Sequence, residues 1–118
     1  MTFGTSVEHR GTYSVVHLAG TPTLKELLAH IDGLEWETLE WDPPRVLLDL
    51  RGIATITGFS EQFIVGRELA RRLSHLERLA SLVFPERITN VSANAAAKEG
   101  LQLKVFSDED EAVRWLTR

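Results

Sequence analysis

Two β-prone runs open the chain, Thr2 to Glu8 and Thr12 to Leu18, with polar His9-Arg10-Gly11 between them. Two such runs about a short turn predict a β-hairpin. Tyr13, Val15 and His17 then share one face, and Ser14, Val16 and Leu18 the other. The period changes after Gly20. Leu24, Leu27, Leu28, Ile31 and Leu34 stand at i, i+3, i+4, i+7 and i+10, the stripe of a core-facing helix. Ahead of it, Thr23-Leu24-Lys25-Glu26 has the form of a capping box, in which threonine and glutamate each satisfy a backbone N–H of the first turn. Asp42-Pro43-Pro44 can only be a connection. Val46 to Leu50 is nearly all apolar, as a strand buried on both faces of a parallel sheet should be.

The second half repeats strand and helix. Ser60 is the expected cap of a second helix, with Phe59 before it and Ile64 placed to close a hydrophobic staple. Phe63, Ile64, Arg67, Leu69, Ala70 and Leu73 continue that helix. Leu79 to Phe84 reads as a strand stopped by Pro85, and Thr89 to Glu99 as a helix stopped by Gly100. Leu101 to Phe106 is a further strand. Ser107 is the expected cap of a last helix, whose acids at 108–111 and whose Arg114 and Arg118 both complement the helix dipole. The order is ββαβαβαβα. It implies an α/β fold, a mostly parallel five-stranded sheet with an antiparallel N-terminal edge strand. If each strand adds beside the one before it, the chain winds as a four-turn β–α superhelix with every helix on one face. The other face would then be polar or covered: Ser14, Ser81, Gln102 and Lys104 allow partial exposure, and a homodimer is the alternative.

Length and charge narrow the class. The 118 residues form one domain, 1–118. A chain of this length buries about 65% of its unfolded surface and needs no disulfide or metal to hold a core. It has no cysteine, which removes disulfides, thiolate catalysis and cysteine zinc sites. A net charge of −4 argues against nucleic acid as a partner. No apolar run reaches membrane-spanning length and Met1 to Gly11 has no signal-peptide core, so a cytoplasmic protein is expected.

Candidate chemistry is sparse. In open parallel sheets ligands bind beyond the carboxyl ends of the strands. Thr21, Asp49, Arg51 and Arg87 lie at those ends and are the candidates for holding an anion or phosphorylated group; the plainer alternative is that they pair with each other or with loop amides. Arg67, Arg71, His75 and Arg78 stand at i, i+4, i+8 and i+11 and would form a basic stripe on the second helix, facing an acidic partner or an anionic membrane surface, or simply solvent. Trp36 and Trp41 flank an acidic stretch and either anchor a partner or cover the bottom of the sheet. His9, His17, His30 and His75 have no metal-ligand spacing. There is no phosphate-binding loop and no nucleophile elbow, so no enzyme activity, cofactor or metal is expected.

The order of elements resembles the SpoIIAA-like superfamily, the STAS-type fold, and within it a STAS/SEC14-like branch of small bacterial proteins. Three segments carry the resemblance: Val46-Leu47-Leu48-Asp49-Leu50-Arg51, Leu76 to Val83, and Val105 to Leu116 with its acidic helix start and Trp115-Leu116. It implies a non-catalytic regulatory module with a protein partner; the SEC14-like branch implies, as an alternative, an apolar-ligand or lipid-binding domain. Relatives that antagonise anti-sigma factors carry an Asp-Ser-Ser-Gly motif whose second serine is phosphorylated. Laid on this chain, that motif falls on Thr57-Gly58-Phe59-Ser60 and the regulated position on Phe59, which has no hydroxyl. Thr57 and Ser60 are the hydroxyls that remain nearby.

Overall fold

The computed structural model describes residues 3–54, 58–87 and 91–118. The elements follow the expected order: β1 (Phe3–His9), β2 (Ser14–Gly20), α1 (Leu24–Thr38), β3 (Arg45–Ile53), α2 (Phe59–Leu73), β4 (Arg78–Leu82), a 3-10 turn at Pro85–Arg87, α3 (Val91–Lys98), β5 (Leu103–Phe106) and α4 (Glu109–Thr117). The five strands lie in chain order, β1-β2-β3-β4-β5. β1 pairs antiparallel with β2, and every later neighbour is parallel.

Local chemistry accounts for the ends of the elements. Thr23 caps α1 as expected: its Oγ1 accepts from the Glu26 N–H at 3.1 Å, and Glu26 Oε1 accepts from the Thr23 N–H at 2.8 Å. Two other caps move by one or two residues. Gly58, not Ser60, caps α2, so Phe59 is the first helical residue and Ser60 the second. Glycine is tolerated there, and Glu61 Oε1 lies 3.2 Å from where a Gly58 Cβ would stand, so a carboxylate already covers the helix start. Asp108, not Ser107, caps α4, accepting from the Glu111 N–H at 3.2 Å. The expected start of α3 at Thr89 lies outside the described residues. Its stop at Gly100 is seen, at φ +96°, the left-handed conformation that suits glycine.

The sheet is covered on both faces. Val16, Leu18, Val46, Leu48, Leu79 and Leu103 pack under Leu27, Ile31 and Leu34 of α1, Leu69, Ala70 and Leu73 of α2 and Ala96 of α3. Tyr13, Val15, Leu47, Ala80, Leu82 and Phe106 pack on the opposite side against Ala112 and Leu116 of α4. The first three helices therefore share a face and α4 does not, which corrects the expectation that all would. The reason is connectivity: α1, α2 and α3 each link two neighbouring parallel strands, and right-handed crossovers place such helices on one face, whereas α4 links no two strands of this sheet. α4 covers the sheet face for which a second copy was one of the expected covers.

β3 carries the one irregularity of the parallel ladder. His17 pairs with Asp49, but Ala19 pairs with Gly52, so β3 holds one residue more than β2 between those pairs. Such a bulge reverses which face later residues point to. Asp49, ahead of the bulge, faces the α4 side with Leu47, while Ile53, beyond it, enters the core beneath α1 and α2.

Candidate functional site

The carboxyl end of β3 was the expected ligand position, and the structure fills it with ion pairs of its own. Asp49 is only 8% exposed. It accepts from Arg51 Nε at 3.0 Å, from an Arg51 terminal nitrogen at 3.0 Å, from the Arg51 backbone N–H at 3.1 Å, and faces His17 Nδ1 at 3.1 Å. Arg51 continues to Glu109 at 3.3 Å, Glu109 to Arg10 at 3.7 Å, Arg10 to Glu8 at 2.6 Å, and Glu8 to His17 at 3.9 Å. These six side chains close a ring on the α4 side of the sheet and tie the first residue of α4 to the hairpin and to β3. Burial pushes the Asp49 carboxyl up, but the Arg51 hydrogen bonds and the His17 contact outweigh it and hold the carboxyl below its ordinary value. Arg87 is likewise engaged, donating to the Ile53 carbonyl. Thr21 is exposed beyond β2. Asp49 and Arg51 thus pair with each other, Arg51 also reaches Glu109, and Arg87 meets a backbone carbonyl at the same sheet end.

The direction of two shifts fixes how stability responds to acid. Asp49 titrates lower in the folded protein than the ordinary 3.8, so its contribution is present above that value and is lost as pH falls through the folded one. His30, set edge-on against Phe3 at 5.5 Å, is pushed below the ordinary 6.5 by burial. The unfolded chain thus takes up that proton first, and stability falls as pH drops below 6.5. Urea midpoints measured down a pH series should fall in two stages. His30→Phe should remove the upper stage. Asp49→Asn should shrink the lower one and cost about 2 kcal/mol at neutral pH. A midpoint independent of pH between 7 and 3 would contradict both assignments.

The basic stripe divides. α2 ends at Leu73, so His75 and Arg78 are not on it. His75 Nε2 meets Thr38 Oγ1 at 2.7 Å, joining the turn after α2 to the end of α1. Arg78, the first residue of β4, turns to the α4 side, donates to the carbonyls of Trp115 and Arg118, and stacks over the Trp115 ring at 5.5 Å. Of the four stripe residues, Arg67 and Arg71 stand on α2, and both are exposed. Arg72, which the sequence did not single out, reaches Asp32 at 3.0 Å, Glu35 at 3.3 Å and Glu68 at 2.8 Å and clamps α2 to α1.

A different constellation takes the stripe's place. Ser60, Phe63, Ile64, Arg67 and Arg71 stand at i, i+3, i+4, i+7 and i+11, and all five are exposed. They line the side of α2 opposite Val65, Leu69, Ala70 and Leu73, which enter the core. Phe63 is 37% and Ile64 40% exposed, unusual for large apolar residues in the first turns of a helix. Phe84, also exposed, leaves β4 at the same carboxyl end of the sheet from which α2 starts. The sequence held a signal for this face: Phe63 and Ile64 fit the apolar run of α2 but not the spacing of Val65, Leu69 and Leu73. Thr57, the other candidate hydroxyl, lies outside the described residues. Among those described, no three His, Cys, Asp or Glu side chains group as metal ligands, and no helix is long and apolar enough to cross a membrane.

Fold and site together define a small α/β domain with a sequentially ordered sheet and an exposed apolar pair, Phe63 and Ile64, on α2. A family model described as SpoIIAA-like matches residues 14–117, and the chain belongs to that family. The crystal structure of an anti-sigma factor antagonist from Mycobacterium paratuberculosis shares the fold at a TM-score of 0.64 and 15% identity, over 99% of this chain and 96% of that one. So does an uncharacterised protein with a SpoIIAA-like fold from Shewanella loihica, at 0.60 and 16%, over 98% and 94%. No curated protein matches.

Proposed function

We propose that the protein is a non-catalytic regulatory module of the cytoplasm that binds another protein through the outward face of α2. The observation that carries this is the face itself: Phe63 and Ile64 exposed together, with Ser60 before them and Arg67 and Arg71 after them. Exposed apolar side chains ringed by charge are the usual make-up of an interface centre and rim. The two arginines favour an acidic partner surface, although the whole chain carries −4. Membership of the SpoIIAA-like family supports the reading, as does a similar fold in an anti-sigma factor antagonist. Phe59 at the first helical position argues that binding here is not governed by phosphorylation at that point.

The test uses the full chain as bait in lysate of its own cells, with bound proteins quantified. Wild type should retain a partner that Phe63→Asp/Ile64→Asp loses at least about 10-fold, the effect of removing one interface centre. Arg67→Glu/Arg71→Glu should weaken the same partner more at low than at high salt. Equal recovery by wild type and both variants would refute the assignment of this face.

A further inference from the structure

A second helix face is also unpartnered, and its residues complement themselves. Trp36 is 74% exposed, the most exposed large hydrophobic residue described. Trp41 behaves differently, half-buried against the core with its ring edge-on to His9 at 4.9 Å. Trp36 lies on the side of α1 opposite Leu27, Ile31 and Leu34. Lys25, Ala29, Gly33, Trp36 and Glu40 stand at i, i+4, i+8, i+11 and i+15 and are all exposed. Leu39 keeps helical backbone angles, φ −58° and ψ −30°, so Glu40 follows close to the helical path. No atom lies within 4 Å of where a Gly33 Cβ would stand, which leaves a shallow seat on the helix surface. Lys25 and Glu40 are in no ion pair among the described residues.

We infer that this face of α1 pairs with the same face of a second copy of the chain. In an antiparallel pair with its twofold axis between residues 32 and 33, Trp36 of each copy sits over Ala29 and Gly33 of the other. Lys25 of each copy then meets Glu40 of the other, one pair at each end of the contact. One register thus matches a large ring to small residues and a cation to an anion, twice over, as an isologous interface requires. Ala29 and Gly33 also let the helix axes approach to about 8 Å, the close limit of helix packing. A protein of other composition would need its own small seat for Trp36 and its own opposite charges at both ends; the chain already carries them. The expected contact is a small one, with a dissociation constant on the order of 10 µM.

Sedimentation equilibrium of the full chain up to about 200 µM, well above that constant, reads the outcome. Wild type should approach twice the monomer mass, and Trp36→Asp should remain monomeric. Lys25→Glu and Glu40→Lys should each weaken association at least about 5-fold, and the double variant Lys25→Glu/Glu40→Lys should restore it, because the charges again meet as opposites. The chain has no cysteine, so Gly33→Cys gives a direct geometric check: it should form an intermolecular disulfide on mild oxidation, whereas Thr12→Cys, in the hairpin loop, should not. A wild type that stays monomeric would overturn the pairing, as would a dimer that survives Trp36→Asp or a double charge exchange that restores nothing. Circular dichroism of each variant separates loss of association from loss of fold.

Discussion

Gly52→Val is expected to destabilise the protein by about 3 kcal/mol, the upper part of the range for overpacking. In a chain of this size that is a fall of about 12 °C in melting temperature. Space, not backbone conformation, is the cause. A Cβ on Gly52 would stand 2.8 Å from Ala19 Cβ, 2.9 Å from the Leu18 carbonyl oxygen and 3.0 Å from Ala19 Cα. Two of the three are backbone atoms of β2, which cannot rotate away as a long side chain could. The crowding follows from the bulge: the extra residue in β3 brings Gly52 directly opposite Ala19. Relief would mean separating β2 from β3 at the point where Ile53 enters the core. The matching control is Gly33→Ala, where nothing lies within 4 Å and exchange of a mid-helix glycine should stabilise by about 0.5–1 kcal/mol. A Gly52→Val protein that melts with the wild type would show that β2 and β3 are not held in this register.

That glycine also marks where sequence reasoning stopped. Continuous apolar runs, a helical stripe and cap or stop residues together predicted every strand and helix in order, because each element needs apolar residues to bury and a defined end. Thr23 and Glu26 fixed the start of α1 because a capping box needs two residue types at one spacing. At Ser60 and Ser107 two neighbouring residues could each have capped, and the choice depended on the position of Glu61 and on Asp108 accepting a bond, which spacing does not specify. The bulge left no pattern at all: the expected strand stopped at Leu50, whereas β3 continues to Ile53, and only the pairing with β2 reveals the extra residue.

The candidate site was legible in its parts and not in its grouping. Arg51 and Arg87 were recognised at the sheet end, but their engagement by Asp49, Glu109 and the Ile53 carbonyl depends on tertiary placement. Arg78 and His75 continued a helical count past the true end of α2, because nothing in Ser74-His75-Leu76-Glu77 breaks the periodicity. Leu76 instead closes a turn by donating its N–H to the Leu73 carbonyl at 2.9 Å. The exposed run from Ser60 to Arg71 emerged only once the buried side of α2 was known. An interface is the complement of a core, and it is read last for that reason.

Leu116→Ala should cost about 3–4 kcal/mol and act first on α4. Leu116 and Ala112 are the two α4 residues with no exposed surface, and they close the apolar layer formed by Leu47, Ala80 and Leu82. Truncation leaves a cavity over central strands that cannot collapse into it, so the loss should lie in the upper half of the range for such changes. α4 has little else to hold it: its apolar flank is Val113 and Trp115, and its polar ties are Arg78 to the Trp115 and Arg118 carbonyls and Glu109 to Arg10 and Arg51. Those ion pairs are part-exposed and are each worth at most about 1 kcal/mol, too little to keep the helix docked alone. Hydrogen exchange should therefore accelerate through α4 more than through α1 or α2, and a dye that binds apolar surface should report the freed face of Leu47 and Leu82. Trp36→Ala, at a residue 74% exposed, should change stability by less than about 0.5 kcal/mol at concentrations too low for self-association. Uniform loss of protection across all helices in the Leu116→Ala protein would show that α4 is not a separable cover but part of one cooperative unit with the other face.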